Sequence, residues 1–254
     1  MKYVLSTTLL YLSMVNWNLF GQDLPPIQLD RPDQTECPFI TPSGYIQIEN
    51  GVTIENMDTS TLSYSLPTTL WKYGINDRFE FRLVTDVVSE RGTDGKSTGL
   101  DPITIGFKAA LVEEKGIVPK ISFIGHMTTS RIGSLQFQSK YIAPSFRFTM
   151  QHTLSDKLSL AYNFGAEWDG ESAAQTYIYT LTSGLSCTER LGCYAEFFGF
   201  FPSGGSPDHR FDCGLTYLMS DDWIADVSGG FLLSNPSVTN YVSLGLSFRF
   251  NTRG

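Results

Sequence analysis

The stretch "RFEFRLVTDVV", Arg78 to Val88, decides how the chain is read. Phe79, Phe81, Leu83 and Val87 fall on one set of alternate positions, and Arg78, Glu80, Arg82 and Asp86 on the other. Successive side chains of a strand point to opposite faces, so a period of two means one apolar and one charged face. The question is which of those faces meets water.

The same alternation recurs on both sides. "GYIQIENGVTIE" (Gly44–Glu55) sets Ile46, Ile48, Val52 and Ile54 against Tyr45, Gln47, Glu49 and Thr53. "TLSYSLPTTLW" (Thr61–Trp71) groups Leu62, Tyr64, Leu66 and Leu70. Downstream, "DPITIGFKAALV", "VPKISFIGHMT", "KYIAPSFRFTM", "LSLAYNFGAEW", "TYIYTLTSGLS", "HRFDCGLTYLM", "DWIADVSGGFLL" and "NYVSLGLSFRF" repeat it, while "GCYAEFFGFF" is aromatic on both faces. The expectation is about twelve strands of roughly ten to twelve residues, a length that suits a tilted membrane-crossing strand. Tight connections such as "YGIND", "EEKG", "LSDK", "TERLG" and "MSDD" alternate with longer polar loops such as "SERGTDGKSTG" and "TSRIGSLQFQS". Antiparallel strands joined in this way form an up-and-down meander.

Period alone leaves the direction of the apolar face open. A soluble barrel or sandwich turns it inward, whereas a transmembrane barrel turns it to lipid. Three features favour lipid. The polar faces carry charges of both signs among Ser, Thr, Gly and Ala, with few Lys, unlike a water-facing surface. Trp71, Tyr73, Trp168, Trp223 and Tyr241 lie near strand ends, where interface girdles belong. The last strand ends in Phe250, close to the C-terminus. Closure would also remove the exposed edges of so many half-apolar strands. The expected fold is therefore all-β, an antiparallel up-and-down transmembrane β-barrel with short periplasmic turns and longer extracellular loops.

Composition narrows the function classes. The 254 residues carry 18 Lys and Arg against 26 Asp and Glu, a net charge of −8, with no basic run to hold nucleic acid. Lys2 followed by the apolar "YVLSTTLLYLSMV" reads as an export signal, with cleavage after Gly21. The expected organisation is a signal peptide over 1–21, an N-terminal periplasmic or lumenal segment over 22–43, the barrel over 44–250 and a tail over 251–254. Export places Cys37, Cys187, Cys193 and Cys213 where disulfides can form, and Cys193 has matching face parity with both Cys187 and Cys213. Zinc spacing is absent, and no metal or cofactor is expected.

The stretch before the first strand, "DRPDQTECPFITPSGYIQIENG" from Asp30, with "YGINDRFEFRL" and "GLDPITIGFKAALVEEKGIVPKISFIGH", resembles the Bacteroidetes transporter-like outer-membrane proteins grouped as "Putative MetA-pathway of phenol degradation". The resemblance implies uptake of aromatic or other hydrophobic compounds and supplies no catalytic residues. It implies a Gram-negative outer membrane, with the lipid bilayer, the barrel-assembly machinery and a small hydrophobic solute as partners.

The candidate lumen residues are the charged faces: Arg78, Arg82, Lys108, Lys120, Arg147, Arg210 and Arg249 against Glu80, Asp86, Glu167, Glu196, Asp212 and Asp226, with His126 beside them. Seven against six is near balance, which suits ion pairs in a narrow lumen better than a strongly selective pore. Catalysis is not expected: His126, His152 and His209 are the only histidines, and no Gly-x-Ser-x-Gly elbow occurs. Pro25, Pro26, Pro32, Pro38 and Pro42 keep the leader from forming a helix or central strand. It is expected to fold into the lumen as a plug, with Asp30, Arg31, Asp33 and Glu36 pairing with wall charges such as Arg78, Arg82 and Arg249. A transporting barrel and a structural, non-transporting barrel both remain open.

Overall fold

The computed structural model describes residues 24–57, 61–93, 95–234 and 239–253. The export signal expected over 1–21 lies outside the described residues. Among the described residues thirteen strands follow one another: β1 Tyr45–Asn56, β2 Leu62–Asn76, β3 Phe79–Gly92, β4 Gly95–Leu100, β5 Thr104–Val112, β6 Lys120–Thr128, β7 Ala143–Thr153, β8 Leu158–Trp168, β9 Gln175–Ser186, β10 Leu191–Pro202, β11 Asp208–Ser220, β12 Trp223–Leu232 and β13 Asn240–Asn251. A single short 3-10 turn, Leu135–Phe137, is the helical element among the described residues.

Twelve of the strands close into a ring. Each pairs antiparallel with its neighbours, β2 with β3 and β1 with β13, so no edge is left open. The thirteenth, β4, pairs with the far end of β3, Val87–Gly92, while β5 pairs with the near end, Phe79–Val84. Of the polar stretch expected as a loop, residues 89–92 and 95–99 are thus paired strand that extends the wall beyond the ring. Both described chain ends lie at the barrel end that carries the tight turns, here the terminal end. The longer connections mark the loop end.

Burial is inverted relative to a water-soluble fold. Glu49, Glu80, Lys108, Thr149, Asn163, Glu196 and Asp212 are fully buried inside the ring. Leu244, Val242, Phe164 and Leu111 are more than half exposed on its outside. The face question raised by Arg78–Val88 is settled here: Glu80 and Arg82 point inward, while Phe81 and Val87 point out. Neighbouring rings on the outer face, such as Phe197–Phe211 and Phe211–Phe231, meet at 5.0 and 5.8 Å. An exposed belt of this kind is stable against hydrocarbon, not against water.

Three sequence expectations change. Arg78 is exposed in the two-residue turn after Asn76, its N–H donating to the Asn76 Oδ1 at 2.9 Å, so it lies outside the lumen. The alternation continued one position into the turn, and the strand did not. Leu70 faces inward and is buried, because the β2 register shifts between Ser65 and Thr68. An extra residue in a bulge reverses the face of everything after it, and Trp71 and Tyr73 emerge on the outside instead. Tyr241 turns inward and donates to Asp212, which removes it from the outer girdle.

The cysteines are free, and the Cys187 and Cys193 sulfurs face each other across the β9–β10 turn at 3.1 Å. Mild oxidation of the folded protein should join this pair in preference to Cys193 with Cys213. Peptide mass mapping would read it as a two-hydrogen loss linking the two turn cysteines, and a 193–213 link would contradict it.

Candidate functional site

The segment from Leu24 to Gly44 crosses the inside of the ring, and the wall holds it along its length. At the terminal end, the Ile27 N–H donates to the Asp221 carbonyl at 2.8 Å. Arg249 donates to the Pro25 carbonyl at 2.7 Å while pairing with Asp222, also at 2.7 Å. At the other end of the segment, the Thr41 N–H donates to Glu80 at 2.7 Å, and the Gly44 N–H to the Gly74 carbonyl at 2.8 Å. The strand glycines make room. A Cβ on Gly74 would sit 2.1 Å from the Pro42 carbonyl oxygen, and one on Gly51 would sit 2.0 Å from the Arg31 guanidinium.

Asp30 is the centre of the contact. Its carboxylate accepts from Lys72 at 3.0 Å, Arg82 at 2.8 Å and Lys108 at 2.7 Å, and these side chains are all at most 2% exposed. Its N–H and that of Arg31 donate to Glu49 at 3.0 and 3.1 Å. Burial alone would raise the Asp30 carboxyl, but Lys108, Lys72 and Arg82 outweigh it and hold it well below the usual carboxylate range. Asp30 also accepts the Cys37 N–H at 3.0 Å, folding the segment back on itself.

Further along, Glu36 pairs with Arg82 at 2.6 Å and with Arg147 at 3.7 Å. Its backbone exchanges two bonds with the Asn163 amide, at 2.7 and 3.0 Å. The Gln34 N–H donates to Glu196 at 2.7 Å, and Thr35 reaches Glu196 and Thr180. Arg31 pairs with Asp226 at 3.1 Å. Asp33 has a different setting: burial first, then Glu196 and Asp212, push its carboxyl well above the usual range.

Of the other charged positions, Arg210 pairs with Glu55 and Asp208 near the loop end, each at 2.9 Å. Glu167 lies 3.8 Å from Arg147 in the same region. Asp86 accepts from Ser65 at 3.2 Å. Lys120 sits at the terminal rim, paired with Glu113 and 5.5 Å above the Phe39 ring. The His126 Nε2 accepts from the Arg82 Nε at 3.1 Å. Asp30, Arg31 and Glu36 therefore meet wall charges: Arg82, from the expected partners, and also Lys72, Lys108, Arg147 and Asp226; among the described residues no ion pair reaches Asp33. Arg78 takes no part, and Arg249 meets a backbone carbonyl of the segment.

Among the charged side chains around Asp30, Lys72 and Glu49 are absent from the candidate set. Lys72 lies beyond the β2 bulge, where alternation counted from Leu62 assigns it no dependable face. Glu49 stood on the polar face of the first strand, and that parity was signal enough to find it.

Several cavities border the segment, and two of them meet at its Arg31–Asp33 turn. One of about 640 Å³ opens toward the loop end, with Leu70, Val84, Phe198, Phe200, Arg147, Arg210 and Tyr241 in its lining. Another of about 370 Å³ opens toward the terminal end, bordered by the Ser155–Leu158 turn and Tyr194. Arg31, Pro32 and Asp33 line both, so this turn is the partition between them.

The fold has known counterparts. The COG4313 outer membrane channel from Pseudomonas putida F1 superposes with a TM-score of 0.63 at 13% identity, over 88% of this chain and 100% of that one. The KdgM porin in complex with disordered oligogalacturonate gives 0.55 at 13% identity, over 80% of this chain and 99% of that one. The NanC porin gives 0.54 at 8% identity, over 80% and 98%. No curated protein matches the chain in sequence. The sequence profile of the family described as "Putative MetA-pathway of phenol degradation" matches residues 29–250, nearly the whole barrel together with the lumenal segment. The chain belongs to that family.

Proposed function

We propose that the protein is an outer-membrane channel for small, predominantly hydrophobic molecules, closed at rest by its own N-terminal segment. The observation that carries the reading is the segment from Leu24 to Gly44, held across the lumen with a cavity on either side. A barrel with a packed interior needs no such cavities. In this reading the terminal end faces the periplasm and the loop end faces outside, as follows for an exported chain with an even number of strands. The assembly machinery of the outer membrane would insert it. The apolar part of the larger cavity, with Phe198, Phe200, Leu70 and Val84, suits a small ring compound, in keeping with the family's description.

A second reading has its own support. Asp30 meets three buried cations at once, and such a contact resists displacement. If it never opens, the barrel is structural. Solute flux separates the two.

Deleting Asp30–Glu36 should raise single-channel conductance in planar bilayers severalfold over the full chain. Unchanged conductance from folded protein, checked by heat-modifiable gel mobility, would rule out the plug. Asp30→Asn should leave Lys72 and Lys108 under-compensated. Removing one partner of a buried ion pair costs about 3–5 kcal/mol, and urea unfolding in detergent should read a loss of that order. A lowered carboxyl contributes stability above its unfolded value and loses it only as pH falls toward the folded one. Asp30 should therefore keep the lumen as closed in mildly acidic buffer as at neutral pH. A conductance that rises between those conditions would contradict the assignment.

A further inference from the structure

Three polar side chains that border the loop-end cavity keep hydrogen-bonding capacity that the protein does not use. Arg147, on β7, is the first. Arg31, Lys72, Arg82, Lys108, Arg210 and Arg249 each have a carboxylate oxygen within 3.1 Å. Arg147 has none so close: Glu36 lies at 3.7 Å and Glu167 at 3.8 Å, beyond hydrogen-bond reach. Among the described residues its guanidinium donates once, to the Gln34 carbonyl at 3.0 Å.

Glu36, on the segment, is the second. Its Oε2 accepts from Arg82 at 2.6 Å, while its Oε1 accepts no hydrogen bond among the described residues. His126, on β6, is the third. Arg82 can only donate, so the 3.1 Å bond from its Nε makes the His126 Nε2 an acceptor and leaves the ring proton on Nδ1. That N–H has no partner among the described residues.

The three side chains share one space. His126 and Arg147 lie two positions apart across β6 and β7, opposite Ser145 and Ile124, and both turn inward. With Glu36 they line the cavity of about 640 Å³. The neighbouring strands leave room for them. A Cβ on Gly106 would sit 2.0 Å from the His126 ring, and one on Gly165 would sit 3.0 Å from the Arg147 stem. Leu70, Val84, Phe198 and Phe200 supply the apolar part of the same lining.

The unused groups define an occupant. The Arg147 Nη1 and the Glu36 Oε1 are too far apart to bond directly and close enough to share one oxygen between them. The site offers N–H donors from Arg147 and His126 and one free acceptor, the Glu36 Oε1. A hydroxyl has the matching pattern, since it accepts through two lone pairs and donates once. A carboxylate has no proton for Glu36 and is repelled by it and by Glu167. An ammonium accepts nothing and meets Arg147 and Arg82. A hydrocarbon displaces water and leaves all three groups unpaired.

We infer that Arg147, Glu36 and His126 are the specificity-determining residues of the loop-end cavity, and that they select neutral ring compounds carrying a hydroxyl over the matching hydrocarbons, acids and amines. The inference rests on the channel reading for the passage of the solute, but not for its binding. Water is the competing occupant of the gap, and it would give no such preference.

The full chain, folded in amphipol, would be dialysed to equilibrium at neutral pH against benzyl alcohol, toluene, benzoate and benzylamine, with empty amphipol as the partitioning control. Benzyl alcohol should bind saturably and on the order of tenfold more tightly than toluene, with benzoate and benzylamine no better than toluene. Arg147→Gln should bring benzyl alcohol down to the level of toluene and leave toluene unchanged, a pattern that general loosening of the barrel would not give. Should that variant lose the heat-modifiable mobility of a folded barrel, His126→Phe replaces it with the same expectation. Equal binding of the alcohol and toluene, tighter binding of the acid or the amine, no saturable binding, or a preference that survives in the folded variant would each overturn the site. A hydroxyl preference in a protein that conducts nothing in planar bilayers upholds the site and retires the channel reading. A conducting protein without the preference retires the site alone.

Discussion

The structure turns on one buried carboxylate. Asp30 bonds Lys72, Arg82 and Lys108, which reach into the lumen from β2, β3 and β5. Three cations inside a barrel of this width would repel each other and lose their water. Asp30, with Glu49 and Glu80 on the wall, compensates them. The lumenal segment is thus part of the electrostatic completion of the wall as well as an obstruction. The wall charges and the segment each need the other to stay buried.

This mutual dependence explains the path of the segment. Its prolines deny it regular hydrogen bonding, so its backbone groups must find other partners. Wall side chains supply them: Glu49, Glu80, Asn163, Glu196 and Ser122 all bond to the segment's backbone. The short polar residues on the inner faces suit this role. A wall of long apolar side chains would leave the segment's amides unpaired in a site without bulk water. Glycine lets the wall approach the segment's backbone at Gly74 and makes room for the Arg31 guanidinium at Gly51.

The distribution of charge gives the two sides of the lumen different characters. The side that holds Asp30 is neutralised pair by pair. On the side built by β10 to β13, Arg210 and Arg249 are paired near the two ends, while among the described residues no ion pair reaches Glu196 or Asp212. At the Arg31–Asp33 turn, Arg31 holds the wall through its ion pair with Asp226 and a 3.0 Å bond to the Ser243 hydroxyl.

The alternation in Arg78–Val88 and its repeats determined the twelve strands of the ring, their antiparallel order and which side chains share a face, as Phe81 does with Leu83. Such patterns are local, because side chains two apart share a face whatever the partner strands do. The proline- and acid-rich stretch before the first strand likewise marked itself as non-helical and in need of partners. Only the tertiary structure decided which charges meet. Leu70, Lys72 and Trp71 depend on a bulge that shifts register without an alternation signal of its own, and Arg78 depends on where a strand stops. The pairing of Asp30 with three strands, and the isolation of Glu196 and Asp212 from every cation, depend on closure of the ring. Net charge is a sum over the chain, whereas electrostatic energy depends on distance, and only the folded barrel fixes the distances.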